Sequence, residues 1–186
     1  MITFPLLAVL YVVLLVLVAA AAAVLSVLAW RRSGPQLVFS AAGAVLAALL
    51  LAAVPTGDLG FAVSALLTVL ALVAAIAGGG PAATLALRLA IRGGQVEGSH
   101  GGILIRGGAE EVLRGGTAIG LLERAAVAGV ILAGFPEGLA VVIAIKGVGR
   151  FTELDEAATR ERFIIGTFTS FIWAAACAGI AILARA

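Results

Sequence analysis

The chain opens on TFPLLAVLYVVLLVLVAAAAAVLSVLAW, residues 3 to 30, with no charge until Arg31 and Arg32 close it. A run of that length exceeds any core strand and any ordinary buried helix of a soluble domain. In lipid the backbone must satisfy its own polar groups, so the run is expected to be a membrane-spanning helix. At 1.5 Å per residue it is about 42 Å long, longer than a ~30 Å hydrocarbon core needs, so it must tilt or project into the interface. The leading MITFP carries no positive charge ahead of a short apolar stretch, so a retained span is expected rather than a cleaved signal.

The rest of the chain repeats the pattern. Hydrophobic residues make up 63% of it and charged residues 12%, and the mean hydropathy is +1.22. Soluble domains hold about 45–50% apolar and about 25% charged residues. The apolar runs are continuous rather than alternating, which argues against a β-barrel. The fold expected is all-α: a polytopic membrane bundle of about six transmembrane helices.

A second span is expected from about Gln36 to Val54, closed by PTGDLG, with Ser40, Ala44, Ala48 and Ala52 as a small-residue stripe for close packing. A third covers about Gly60 to Ala77 and stops at GGGP. Pro81 then suits the first turn of a separate short helix, PAATLALRLAIR, whose Arg88 and Arg92 share a face at the headgroup level. Residues 1–92 thus form a three-span hydrophobic half plus an interfacial helix. Residues 93–115, GGQVEGSHGGILIRGGAEEVLRG, are a glycine-rich polar loop in which QVEGSHGGILIR fits a short β-hairpin. Residues 116–186 form a second three-span half: about Gly116–Ala133, a short Gly138–Phe151 after the GFPEG turn, and Phe163–Leu183 after the charged TELDEAATRER. Gly166, Ser170, Ala174 and Ala178 form a second small-residue stripe on the last span.

Six spans give a topology. With the N-terminus outside, the inward segments hold Arg31, Arg32, Arg88, Arg92, Arg106, Arg114, Arg150, Arg160 and Arg162, while the outward turns hold only Asp58 and Glu137. The positive-inside rule then sets both termini outside and the 93–115 loop in the cytoplasm, where anionic headgroups favour its basic flanks. The pI of about 9.3 follows from this topology. The basic residues do not cluster among aromatics as a nucleic-acid surface would, so no nucleic-acid partner is expected. Cys177 is alone and forms no intramolecular disulfide. His100 lacks nearby Cys or Asp partners, so neither a metal site nor a cofactor is expected.

Against this background GLLERAAVAGVILAGFPEGLAVVIAIKGVGRF stands out, because charge inside a span costs about 2.5–3.5 kcal/mol on insertion scales. Glu123 lies about 10 Å above Gly116, and Lys146 about 7 Å above Phe151. Two antiparallel helices joined by a tight FPEG turn bring them to similar depth, so a Glu123–Lys146 pair is expected. Lys146 and Arg150 share a face, and Gly116, Gly120 and Arg124 form a row whose glycines admit a close neighbour. Thr167 and Ser170 add hydroxyls, and Glu153 and Arg162 rim the layer. The expected site is an inner-leaflet charged layer of Glu123, Arg124, Lys146, Arg150, Glu153, Arg162, Thr167 and Ser170. Gly116, Gly120, Gly166, Ala174 and Ala178 serve helix packing.

The runs GGTAIGLLERAAV, GFPEGLAVVIAIKGVGRFTEL and ERFIIGTFTS together resemble a family of small, uncharacterised multi-spanning bacterial membrane proteins frequent in actinobacteria. Its G-x-L-E-R motif falls on Gly120, Glu123 and Arg124. Its K-x-x-x-R-[FY]-x-E-L motif falls on Lys146, Arg150, Phe151, Glu153 and Leu154. Its I-G-T-x-x-S motif falls on Ile165, Gly166, Thr167 and Ser170. The match covers about residues 115 to 175. It implies the bacterial cytoplasmic membrane and a polar layer shared by the family, and it supplies no activity.

Three classes of function remain. A lipid-headgroup enzyme would usually need aspartate-held Mg²⁺ or a nucleophile–base pair, and no span carries either. A small-solute or ion transporter would use the Glu123/Lys146 layer, though the two halves share no motif. A structural or accessory subunit, packing on lipid, on a membrane partner or on a second copy, fits the small-residue stripes best. If Glu123 and Lys146 are partners, Lys146→Met alone destabilises the fold and adding Glu123→Gln restores part of the loss. Thermal unfolding of the four species checks this, and additive losses would mean they do not interact.

Overall fold

A computed structural model of the chain describes residues 3–55, 58–90, 116–149 and 157–185. Their elements are α1 (Thr3–Arg32), α2 (Pro35–Ala52), α3 (Gly60–Ala90), α4 (Gly116–Leu132), α5 (Gly138–Val148) and α6 (Ala157–Leu183). No strand occurs among the described residues, and four helices, α1, α2, α3 and α6, are long and apolar enough to cross a membrane. With 17 and 11 residues, α4 and α5 are about 25 and 16 Å long and form a shorter hairpin. The β-hairpin expected within 93–115, with His100 and Arg92, lies outside the described residues. So do Arg150, Phe151, Glu153 and Leu154.

Local chemistry sets the helix ends. Ser33 adopts a positive φ of 49° after the Arg pair, and Pro35 starts α2, where its missing N–H is not needed. Asp58 Oδ1 accepts the Gly60 N–H at 2.8 Å, supplying an acceptor at the start of α3. At the end of α4, Gly134 has φ +69° and the Phe135 N–H reaches the Val130 carbonyl at 2.9 Å. That is the Schellman arrangement, in which glycine takes the left-handed position and reverses the chain.

The antiparallel pair α3 and α6 forms the most extensive interface and the centre of the bundle. Helix α1 packs on α2 and α3, α2 also touches α6, and α4 lies across α3 and α6. Helix α5 rests principally on α4. Between helices the core is largely alanine: Ala41, Ala48, Ala71, Ala74, Ala75, Ala174 and Ala178 are buried, which lets backbones approach closely. Near the other end of the bundle the Tyr11 hydroxyl donates to the Leu51 carbonyl, and Arg185 donates to the Thr68 hydroxyl. These bonds tie α1 to α2 and the C-terminus to α3.

Two expectations are corrected. Helix α3 does not stop at GGGP: it runs unbroken for 31 residues with Pro81 inside, so PAATLALRLA is its last third rather than a separate interfacial helix. Glycine and proline end helices where water can take the freed backbone groups. Here the segment is packed between α4 and α6 and stays helical. The stripe on α2 also shifts. Ser40 is exposed, and the buried line is Val38, Ala41, Val45, Ala48 and Ala52. Steps of four residues drift about 40° each around a helix, whereas alternating steps of three and four hold one face.

On α6, Ser170, Ala174 and Ala178 are buried, and Gly166 is half-buried with Leu87 of α3 3.6 Å from where its Cβ would stand. Ala174→Leu is accordingly expected to destabilise the bundle by about 1–3 kcal/mol through overpacking. Ser40→Leu on the exposed side of α2 should stay within about 0.5 kcal/mol of wild type. Thermal unfolding in one detergent compares the two directly.

Candidate functional site

Three consecutive glycines strip α3 of side chains where α4 and α6 reach it. A Cβ on Gly78 would stand 2.4 Å from the Trp173 ring, and one on Gly79 would stand 2.4 Å from Arg124 Cδ and 3.2 Å from Ser170 Oγ. The glycines are therefore a notch, filled by Trp173 from α6 and Arg124 from α4. Trp173 Nε1 donates to the Ala74 carbonyl at 2.9 Å, and Arg124 Nε donates to the Ile76 carbonyl at 2.7 Å. Pro81 follows directly and has no N–H to give the Ala77 carbonyl one turn back. Side-chain donors thus enter the α3 ladder just ahead of its weakest point, as happens where helices are interrupted in membranes.

Arg124 and Ser170 are each 6% exposed, and both border the space above Gly79. One turn before Arg124, a Cβ on Gly120 would sit 3.2 Å from Arg124 Nη1. Gly120 therefore makes room for the guanidinium of its own helix. Among the described residues, nothing lies within 4 Å of where a Cβ on Gly116 would stand.

Glu123 and Arg124 are adjacent, so they leave α4 about 100° apart and serve different partners. Arg124 turns to α3 and α6. Glu123 turns to α5, where its Oε2 accepts from Lys146 Nζ. The tight turn at 133–137 places these two residues at one level. The same ammonium lies 5.9 Å from the ring centroid of Phe163 and 5.4 Å from that of Phe171, both on α6. Each side chain of the Glu123–Lys146 pair keeps 16% exposure.

The layer also has a defined place along the helices. Ile76, Arg124 and Ser170 lie near the middle of α3, α4 and α6 respectively. Ile76 is about 24 Å along the axis from Gly60 and about 21 Å from Ala90. Thr167 is half-buried one turn from Ser170, and Arg162 lies about 12 Å from Ser170 along α6. Arg150 and Glu153 are outside the described residues. The structure thus pairs Glu123 with Lys146 and brings Arg124 and Ser170 to the same side of Gly79.

Gly78, Gly79, Gly80, Trp173, Phe163 and Phe171 were not among the expected site residues. Their signal was the glycine triplet in mid-run, three residues from a proline and matched by an indole donor on another span. Among the described residues, no buried polar side-chain atom lacks a partner, and no group of His, Cys, Asp and Glu is placed to hold a metal. Cys177 is buried in α6.

Known protein families, characterised proteins and solved structures offer no match to the chain, so the family resemblance rests on its three motifs. The notch makes its own prediction. Gly79→Ala is expected to cost about 1–3 kcal/mol, because its methyl collides with Arg124. In an Arg124→Ala background the same change should cost less, read as a coupling energy from thermal unfolding.

Proposed function

We propose that the chain is a multi-pass protein of the bacterial cytoplasmic membrane that acts by packing, as a structural or accessory subunit held against a membrane partner or lipid. The observation that carries this reading is the use made of the interior polar groups. Arg124 and Trp173 bond to carbonyls of α3, and Lys146 bonds to Glu123. The buried charge therefore fixes how the chain's own helices sit together. The outer faces are apolar, with Leu7, Leu17, Phe39 and Leu50 more than half exposed. Between α1 and α3 an open groove of about 310 Å³, lined by Ala20, Ala23, Val24, Leu70 and Val73, gives a neighbour's side chains or an acyl chain a seat.

In this reading the α4–α5 hairpin starts and ends on the cytoplasmic side. Both termini then lie outside, in keeping with Arg31, Arg32 and Arg88 at inward helix ends. The motif resemblance to the bacterial family supports the same membrane.

A second reading, transport of a small solute or ion through the Glu123/Lys146 layer, is favoured by one observation. The pair sits at mid-length of the bundle and stays one-sixth exposed, and ionisable groups at such depth often mark a pathway. Native mass spectrometry of the protein extracted gently from its own membrane separates the readings. The packing role predicts a stoichiometric second protein or a retained lipid. A bare monomer, together with solute flux in liposomes that Glu123→Gln abolishes, would replace it with the transport reading.

A further inference from the structure

The geometry points to a cation cage: Glu123, Phe163 and Phe171 form a binding site for a small alkylammonium ion, and Lys146 is its tethered occupant. Glu123 supplies the charge, with Oε2 accepting from Lys146 Nζ. The two ring centroids at 5.9 and 5.4 Å lie within the ~6 Å over which a ring quadrupole attracts a cation. Phe163 and Phe171 are about two turns apart on α6, so they bracket the ammonium along the axis. One carboxylate and two aromatic faces suit a cation whose charge is carried on an apolar body. They do not suit Ca²⁺ or Mg²⁺, which take about six or more oxygen ligands.

Among the described helices, the occupant sits on the least anchored one. With 11 residues, α5 lies principally against α4 and leaves Val141, Ile145 and Val148 more than half exposed. Segments with few buried contacts open at the lowest cost. Lys146 therefore leaves the cage more readily than the walls, which stand on α4 and α6, come apart. Once it leaves, a carboxylate at mid-length of the bundle is uncompensated until another cation arrives. That position favours a free solute as the source. A lipid amine stays at the headgroup level, whereas a free alkylammonium solute reaches the middle of the bundle. The inference rests on the second reading above, and binding is measured apart from flux so that each can fail alone.

Lys146→Ala removes the occupant and leaves the walls. Purified K146A in nanodiscs is titrated with n-butylammonium, with n-butanol as the neutral control and thermal unfolding as the readout. The cage predicts a saturable rise in Tm of about 5–10 °C at about one hundred times Kd. The rise should be absent with n-butanol and lost when Glu123→Gln is added, and Phe171→Ala should weaken binding about threefold or more. If K146A does not fold alone, recovery of folded protein in n-butylammonium but not in n-butanol gives the same support. No ammonium-specific stabilisation or recovery, or an equal rise after Glu123→Gln, overturns the cage. Flux of n-butylammonium into liposomes carrying the wild type is read separately. Binding without flux keeps the cage and removes the transport reading.

Discussion

A helical carbonyl has two lone pairs, and in this bundle the second one on Ala74 and on Ile76 is taken by side chains from other helices. Those two bonds are possible only because Gly78 and Gly79 have no side chains, which lets an indole and a guanidinium stem lie directly on the α3 backbone. The arrangement around α3 follows. Trp173 sets the height of α6 against α3, and Arg124 sets the rotation of α4. Turning α4 by one residue would swing the guanidinium about 100° out of the notch and put Glu123 or Ala125 there instead. In a core made mostly of alanine, where many rotations pack nearly as well, these polar contacts select one of them.

The energetics explain why so few charges suffice. Bringing arginine to the centre of a helix bundle costs about 2.5–3.5 kcal/mol on insertion scales. A hydrogen bond from a charged donor returns about 1.5–3 kcal/mol. The balance is near zero, so Arg124 contributes position more than stability. Glu123 and Lys146 follow the same logic one face away, where their bond ties α5 to α4 and the two phenylalanines hold the ammonium against α6. The dipeptide Glu123-Arg124 thus anchors the hairpin in two directions.

The order of the helices was legible because each apolar run is long and each break is marked by an Arg pair, a proline or a glycine turn. The common level of Glu123 and Lys146 was legible too, since a tight turn equates positions counted from it. The GGGP segment misled for a physical reason. Its residues end helices in water, and nothing local to it shows that Trp173 and Arg124, respectively about 95 and 45 residues away, will fill the gap and keep α3 intact. The four-residue stripe on α2 failed because spacing alone ignores rotational drift. The cation–aromatic contacts on Lys146 depend on how α6 is turned, which periodicity in an almost wholly apolar helix does not specify.

The contact between Arg124 Nε and the Ile76 carbonyl is the most direct test of this account. Solid-state NMR of the protein in lipid bilayers, with ¹³C at the Ile76 carbonyl carbon and ¹⁵N at arginine Nε, measures their dipolar coupling. The 2.7 Å hydrogen bond predicts a carbon–nitrogen separation of about 3.5–4 Å. That coupling should vanish in Arg124→Lys, which has no Nε. A bilayer spectrum in which wild type shows no coupling beyond that of the variant would mean that Arg124 does not occupy the notch, and the arrangement built on it would not stand.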